Sequence, residues 1–97
     1  MTNPRIRPLK YSLTTGWNTV STRGPINKVN SHVGDQGGAI TLWVSNDEKQ
    51  PMQYHDVYVA LTGEEVPPPR DPSKEMWYLG TCVQTGGMFV THAYIQL

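Results

Sequence analysis

Cysteine, surplus charge and long apolar runs are all scarce in this chain, and each scarcity removes a class of protein. A single cysteine, Cys82, allows no intrachain disulfide and no thiolate zinc site. Lying inside an apolar run, it reads as a small core residue. No stretch approaches the roughly 18–20 apolar residues of a membrane-spanning helix. Basic residues occur between Met1 and Lys10 with no apolar segment behind them, so this is not a secretory signal, and a cytoplasm is the expected compartment. Eight basic residues balance eight acidic ones, for a formal charge of zero. That excludes a coat for long nucleic acid and a polybasic membrane binder, both of which need positive excess. Only 37% of residues are apolar and 16% charged. The remainder is rich in Thr, Ser, Asn and Gln, twenty-five residues together. With 97 residues, the chain makes one domain with a thin core.

Helical periodicity is almost absent; short runs of β-branched and aromatic residues alternate with polar ones instead. Leu9 to Thr14 reads as a first strand and Trp17 to Ser21 as a second, ended by Gly24-Pro25. Ile26 to Val33 reads as a third. Asp35-Gln36-Gly37-Gly38 is a hairpin turn, since Gly supplies positive φ. In the strand that follows, Ala39 to Ser45, Ile40, Leu42 and Val44 share one face and Trp43 takes the other. Tyr54 to Leu61 places His55, Val57, Val59 and Leu61 on one face. Residues 62–75 form a long loop containing Pro67-Pro68-Pro69, a polyproline segment excluded from a ladder interior. Met76 to Gln84 and Met88 to Gln96 then flank Thr85-Gly86-Gly87 as a last hairpin. The expected fold is all-β: one antiparallel β-sandwich or half-open barrel of six or seven strands, with an extended arm over residues 1–8. Long, lightly charged edges make self-association through an edge or a sheet face the expectation, so a homo-oligomer is predicted.

Catalytic and metal signatures are missing. His32, His55 and His92 lie 23 and 37 residues apart, too far for a local metal clamp. Gly37-Gly38 and Gly86-Gly87 are followed by no Lys-Ser/Thr and open no helix, so neither is a phosphate loop. Glu64-Glu65 are neighbours in sequence, which does not make them a catalytic pair. Cys82 and His92 come close across the last hairpin on this reading, but no activating group or oxyanion site accompanies them. No catalytic residue, metal ligand or cofactor is assigned.

Aromatics and arginines stand out instead. Three Trp and five Tyr accompany a single Phe. Such rings suit the rim of a binding surface or an oligomer interface. Trp43 and Trp77, in strong strands, are assigned to the core. Tyr11, Trp17, Tyr54 and Tyr78 lie nearer strand ends or polar faces. Pro4-Arg5-Ile6-Arg7-Pro8 is a stiff segment with two bidentate guanidinium forks, read either as a frayed terminus or as a strap to a neighbouring subunit. Arg70 sits in the proline loop. Rings for stacking and a few arginines for phosphate, without excess charge, suit a small nucleotide better than a long polymer.

The segments Ile40-Thr41-Leu42-Trp43-Val44, Ala60-Leu61-Thr62-Gly63, Tyr78-Leu79-Gly80-Thr81 and Phe89-Val90-Thr91-His92 carry a resemblance. With the opening strand Lys10-Tyr11-Ser12-Leu13, they resemble a widespread family of small phage and prophage proteins of unknown function. Two departures fall in one loop: Glu64 stands where a His commonly follows the Thr-Gly pair, and the segment Val66 to Ser73 is longer. The resemblance implies an accessory phage protein acting in a bacterial host cytoplasm. In size and character the chain is also similar to viral sponges that sequester the cyclic-nucleotide signals of CBASS immunity.

Three functions are therefore weighed. In the first, an oligomeric, non-enzymatic module sequesters a small cyclic nucleotide. Tyr11, Trp17 or Tyr54 would stack the base, Arg5, Arg7 or Arg70 would hold phosphate, and the Thr62-Gly63 turn would offer backbone N–H groups. The second is a protein-interaction module, either an inhibitor docking on a host protein or a virion decoration subunit. The third is a hydrolase using His55 or His92.

Overall fold

The computed structural model describes residues 5–97. Its seven strands are β1 (Ile6–Leu13), β2 (Gly16–Arg23), β3 (Ser31–Gln36), β4 (Ala39–Asp47), β5 (Met52–Leu61), β6 (Met76–Val83) and β7 (Val90–Gln96). They form two antiparallel sheets, ordered β1-β4-β3 and β2-β5-β7-β6, which face each other as a sandwich and do not close into a barrel. Among the described residues the one helical turn is a short 3-10 segment, Thr85–Gly87. The all-β expectation holds.

Period-two alternation builds the core. Ile40, Leu42 and Val44 of β4 point inward and meet His55, Val57 and Val59 of β5 within the sandwich. Leu13, Val20, Ile26, Val33, Leu79, Cys82, Ala93 and Ile95 complete the apolar cluster, with His55 buried at its margin. The β3–β4 hairpin turns on Gly37 and Gly38, at φ 61° and 86°, as a two-residue loop with positive φ requires. Edge strands β3 and β6 lie against each other. A Cβ on Gly80 would sit 3.0 Å from Val33 Cβ, so only glycine permits this approach.

Several expectations need correction. No strand covers Ile26 to Asn30. Asn27 Oδ1 accepts from the Val29 and Asn30 amides at 2.9 Å, and Asn30 Oδ1 accepts from the Asn27 amide at 2.8 Å. These side-chain bonds give the backbone an alternative to a ladder, and β3 starts only at Ser31. The arm expected over residues 1–8 is in the sheet from Ile6 onward, paired with β4, while residues 1–4 lie outside the described residues. Trp43 stands half-buried on the outer face, because the inner one belongs to Leu42 and Val44; its ring tilts against His32 at 5.6 Å. Trp77 is 55% exposed near the start of edge strand β6, where a large ring has little to cover it. Leu61, at the end of β5, is 42% exposed.

The proline-rich segment has an architectural role that its composition hides. β5 and β6 are both antiparallel to β7, so they run parallel to each other. Parallel strands require a crossover along the whole sheet, a task usually given to a helix. Here residues 62–75 make it as a strap over the outer face of the four-stranded sheet. Glu64 accepts from the Tyr58 hydroxyl, Arg70 lies over the Trp17 ring at 4.6 Å, and the Asp71 amide donates to Gln96 Oε1 at 2.8 Å. Glu75 and Leu97 then exchange backbone hydrogen bonds at 2.8 and 2.9 Å where β6 begins.

Candidate functional site

Two of the chain's four arginines converge on one carboxylate, and a third lies in the recess beside it. Arg7, in β1, pairs with Glu48 at 2.8 Å, and Arg5 reaches the same side chain at 4.0 Å. Arg23, the last residue of β2, lines the recess beside them and meets no carboxylate among the described residues; its guanidinium reaches only the Gln50 carbonyl, at 3.5 Å. The recess encloses about 220 Å³ between Arg7, Leu9 and Tyr11 of β1, Ser21 and Arg23 of β2, and Asn46, Glu48 and Met52.

Topology makes this recess. β1 and β2 are the edges of their two sheets on the same side of the sandwich, and they are not hydrogen-bonded to each other. A corner at Thr14 joins them, where the Asn18 side chain accepts from the Thr14 amide at 3.0 Å and donates to its carbonyl at 2.8 Å. At the far end, buried Asn46 links the sheets: its Oδ1 accepts from the Arg23 amide at 2.6 Å, and its Nδ2 donates to Tyr11 Oη at 3.2 Å. Tyr11 is thus a half-buried wall with its hydroxyl held toward Asn46. Three guanidinium groups against one carboxylate leave a local excess of positive charge in a neutral protein. Planar forks of this kind recognise phosphate or carboxylate oxygens.

The other expected residues lie elsewhere. Tyr54, 75% exposed, stands on the outer face of β5 opposite Ser21, beside the recess but outside its lining. Trp17 and Arg70 belong to the strap's seat, where Arg70 also pairs with Asp56 at 3.8 Å. Thr62 and Gly63 sit at the opposite end of β5 from Met52, and the Thr62 amide already donates to the Val90 carbonyl at 3.3 Å. The eight residues do not form a single site.

An aromatic row that the sequence reading did not see crosses the outer face of the larger sheet. Trp17, Tyr58, Tyr94 and Tyr78 come from four adjacent strands and stand in register. Trp17 meets Tyr58 edge to face at 5.2 Å, as Tyr78 meets Tyr94 at 5.6 Å. Lys28 lies over Tyr78 at 4.9 Å. The hydrogen bond to Glu64 pushes the Tyr58 phenol above its usual range, since losing that proton would leave two anions in contact.

Groups considered for catalysis are separated or engaged. His55 is buried, its Nε2 2.9 Å from Thr22 Oγ1. His92 Nδ1 lies 3.0 Å from Thr81 Oγ1 and its Nε2 2.9 Å from Thr62 Oγ1. Thr62 spends its one hydroxyl proton on the Val90 carbonyl at 3.1 Å, so it accepts from His92 rather than donating to it. Cys82 faces the core while His92, pairing one residue along, faces out, so the last hairpin keeps them on opposite faces. Burial also pushes the Cys82 thiol upward, which disfavours the thiolate. Among the described residues no three His, Cys, Asp or Glu side chains are grouped to hold a metal, and no helix is long and apolar enough to cross a membrane.

Arg23, Asn46, Glu48 and Met52 escaped the sequence reading because the recess joins residues about forty positions apart across two sheets. The one available signal was the alternation of β2 continuing through Arg23, masked by Gly24-Pro25. Comparison with known proteins found a family described as Domain of unknown function (DUF7352), which matches residues 6–97. No curated protein and no solved structure matches the chain.

Proposed function

The chain belongs to the DUF7352 family, a family of unknown function, and we propose that it is a non-enzymatic binding module holding a small nucleotide phosphate in the recess between β1 and β2. One observation carries this reading: Arg7 and Arg23 line a walled opening that holds the single carboxylate of Glu48, which Arg7 and Arg5 pair with. In it, Arg7 and Arg23 grip phosphate oxygens, Tyr11 and Asn46 supply the polar wall, and Leu9 and Met52 meet the sugar or base. At about 220 Å³ the recess is smaller than the usual 300–1,000 Å³ of a small-molecule site. One chain therefore holds one nucleotide moiety, and a cyclic dinucleotide would span two copies. Phage origin, action in the bacterial host cytoplasm and sequestration of a CBASS signal are part of this proposal, and they make cyclic nucleotides the first ligands to try.

A thermal-shift panel of cyclic and linear nucleotides, with native mass spectrometry, tests it. One nucleotide should raise the melting temperature and be recovered intact. Because each charge-assisted contact is worth about 1.5–3 kcal/mol, Arg7→Ala or Arg23→Ala should weaken binding about 10–100-fold. A flat panel, or a shift that survives both substitutions together, sinks the proposal. A protein-docking role is favoured by a different observation. Met88 and Phe89, at the tip of the β6–β7 hairpin, are 82% and 60% exposed, and Val83, paired with Val90 at the base of that hairpin, is exposed as well.

A further inference from the structure

The sandwich has four edge strands, and the structure treats them unequally. β3 and β6 lie against each other, with Gly80 directly beneath Val33. β1 is guarded. The Arg5 carbonyl accepts from the Glu48 amide at 2.9 Å, and register sets Arg5 opposite Glu48, so odd-numbered residues of β1 turn their backbone groups toward β4. The outward groups are those of Ile6, Pro8, Lys10 and Ser12. Pro8 has no N–H to offer an incoming strand, and Arg5, Arg7 and Lys10 add like charge, two familiar protections of an edge.

β2 has neither protection. The Gly24 amide donates to the Pro51 carbonyl at 3.1 Å, so even-numbered residues of β2 face β5. Arg23, of the other parity, turns its amide outward to Asn46, as that phase requires. The N–H and C=O groups of Trp17, Thr19 and Ser21 therefore point away from the sheet, and no described group caps them. From Gly16 to Thr22 the strand carries no charge and no proline.

We propose that β2 pairs antiparallel with β2 of a second copy about a two-fold axis at Thr19, joining two four-stranded sheets into one continuous sheet. Thr19 then faces Thr19 of the partner copy, and Trp17 faces the partner's Ser21. The occupant follows from charge and symmetry. A strand centred on its own axis must be compatible with itself, and Gly16–Thr22 sets no like charges opposite each other. β1, with Arg7, Lys10 and Pro8, fails the same test. A Thr–Thr pair at the centre and β-branched neighbours suit cross-strand packing. This pairing does not depend on the nucleotide reading.

Sedimentation equilibrium and amide hydrogen exchange test it. The wild-type protein should weigh twice 10.9 kDa at high concentration, with the Trp17, Thr19 and Ser21 amides protected and losing protection on dilution. Thr19→Pro removes an outward N–H and leaves the β5 ladder intact, so it should yield a folded monomer. Thr19→Lys, a change at an exposed side chain, should do the same by like-charge repulsion and serves if the proline variant misfolds. A wild-type monomer at hundreds of micromolar overturns the proposal. So does a dimer that survives both substitutions, or one in which these three amides exchange freely.

Discussion

His55 ties the end of β2 to the core through a single nitrogen. Thr22 Oγ1 donates to the Gly24 carbonyl at 2.7 Å, so its lone pair accepts from His55 Nε2–H at 2.9 Å. Burial disfavours the charged imidazolium and holds the His55 pKa below its ordinary 6.5; the Gly24 carbonyl opposes this, Lys74 adds to it and Asp56 offsets it. Between the folded value and 6.5 the unfolded chain keeps a proton that the folded chain lacks, so stability rises with pH across that window. It is complete above pH 6.5 and is lost as pH falls toward the folded pKa. Urea denaturation at stepped pH should show that slope in the wild type. His55→Asn should flatten it, and His55→Ala should cost about 1–3 kcal/mol at neutral pH by stranding Thr22. An unchanged slope in His55→Asn would assign the dependence to other groups. At this scale the sequence was readable wherever alternation was strict: Ile40, Leu42, Val44, Val57 and Val59 lie where period two puts them. It misled where a residue sits at the end or edge of a strand, as Leu61 and Trp77 do, because burial there depends on neighbours that one strand does not reveal.

The strap shows what an element's composition says and leaves unsaid. Pro67-Pro68-Pro69 marks residues 62–75 as extended and outside any ladder, and that much was legible. Its destination was not, because a crossover is defined by the pairing of β5 and β6 with β7, remote in sequence. The geometry explains the prolines. A strand of eight residues, such as β6, spans about 26 Å. Fourteen residues of flexible coil average only about 20 Å end to end, whereas polyproline geometry reaches about 43 Å. Stiffness therefore keeps the strap stretched across the sheet, where Arg70 sits on Trp17 and Gln96 is buried beneath Asp71. Replacing all three prolines by glycine should cost about 1–3 kcal/mol, mostly by enlarging the unfolded ensemble. Native-state trypsin should then cut after Arg70 and Lys74 far faster than in the wild type, with the β-sheet circular dichroism retained. Equal stability and equal cleavage would mean the anchors alone hold the strap. The reading of Ile26 to Val33 as a strand failed for the opposite reason: Asn27 and Asn30 form local bonds that outcompete a ladder, and only their spacing hinted at it.

At the scale of the whole molecule, neutrality conceals an uneven distribution of charge. The formal charge is balanced, yet β1–β4 pairing brings Arg5 and Arg7 to Glu48, and the β2 terminus sets Arg23 in the recess beside them. A net count cannot show that arrangement, since it arises only when strands distant in sequence meet. The thin core has a consequence of the same kind. A domain of this size leaves much apolar surface uncovered, and β2 adds an uncapped edge, so association and folding stability should be linked. If the dimer unfolds in one step, a hundred-fold rise in protein concentration adds about 2.7 kcal/mol per dimer, shared by two chains. For chains near a hundred residues that corresponds to a melting temperature higher by roughly 5–10 °C. Thr19→Pro should abolish this dependence and fix its midpoint near the wild type's most dilute value. Scanning calorimetry from micromolar to hundreds of micromolar separates the alternatives, because a concentration-independent midpoint in the wild type would mean each chain folds alone and β2 contributes nothing to its stability.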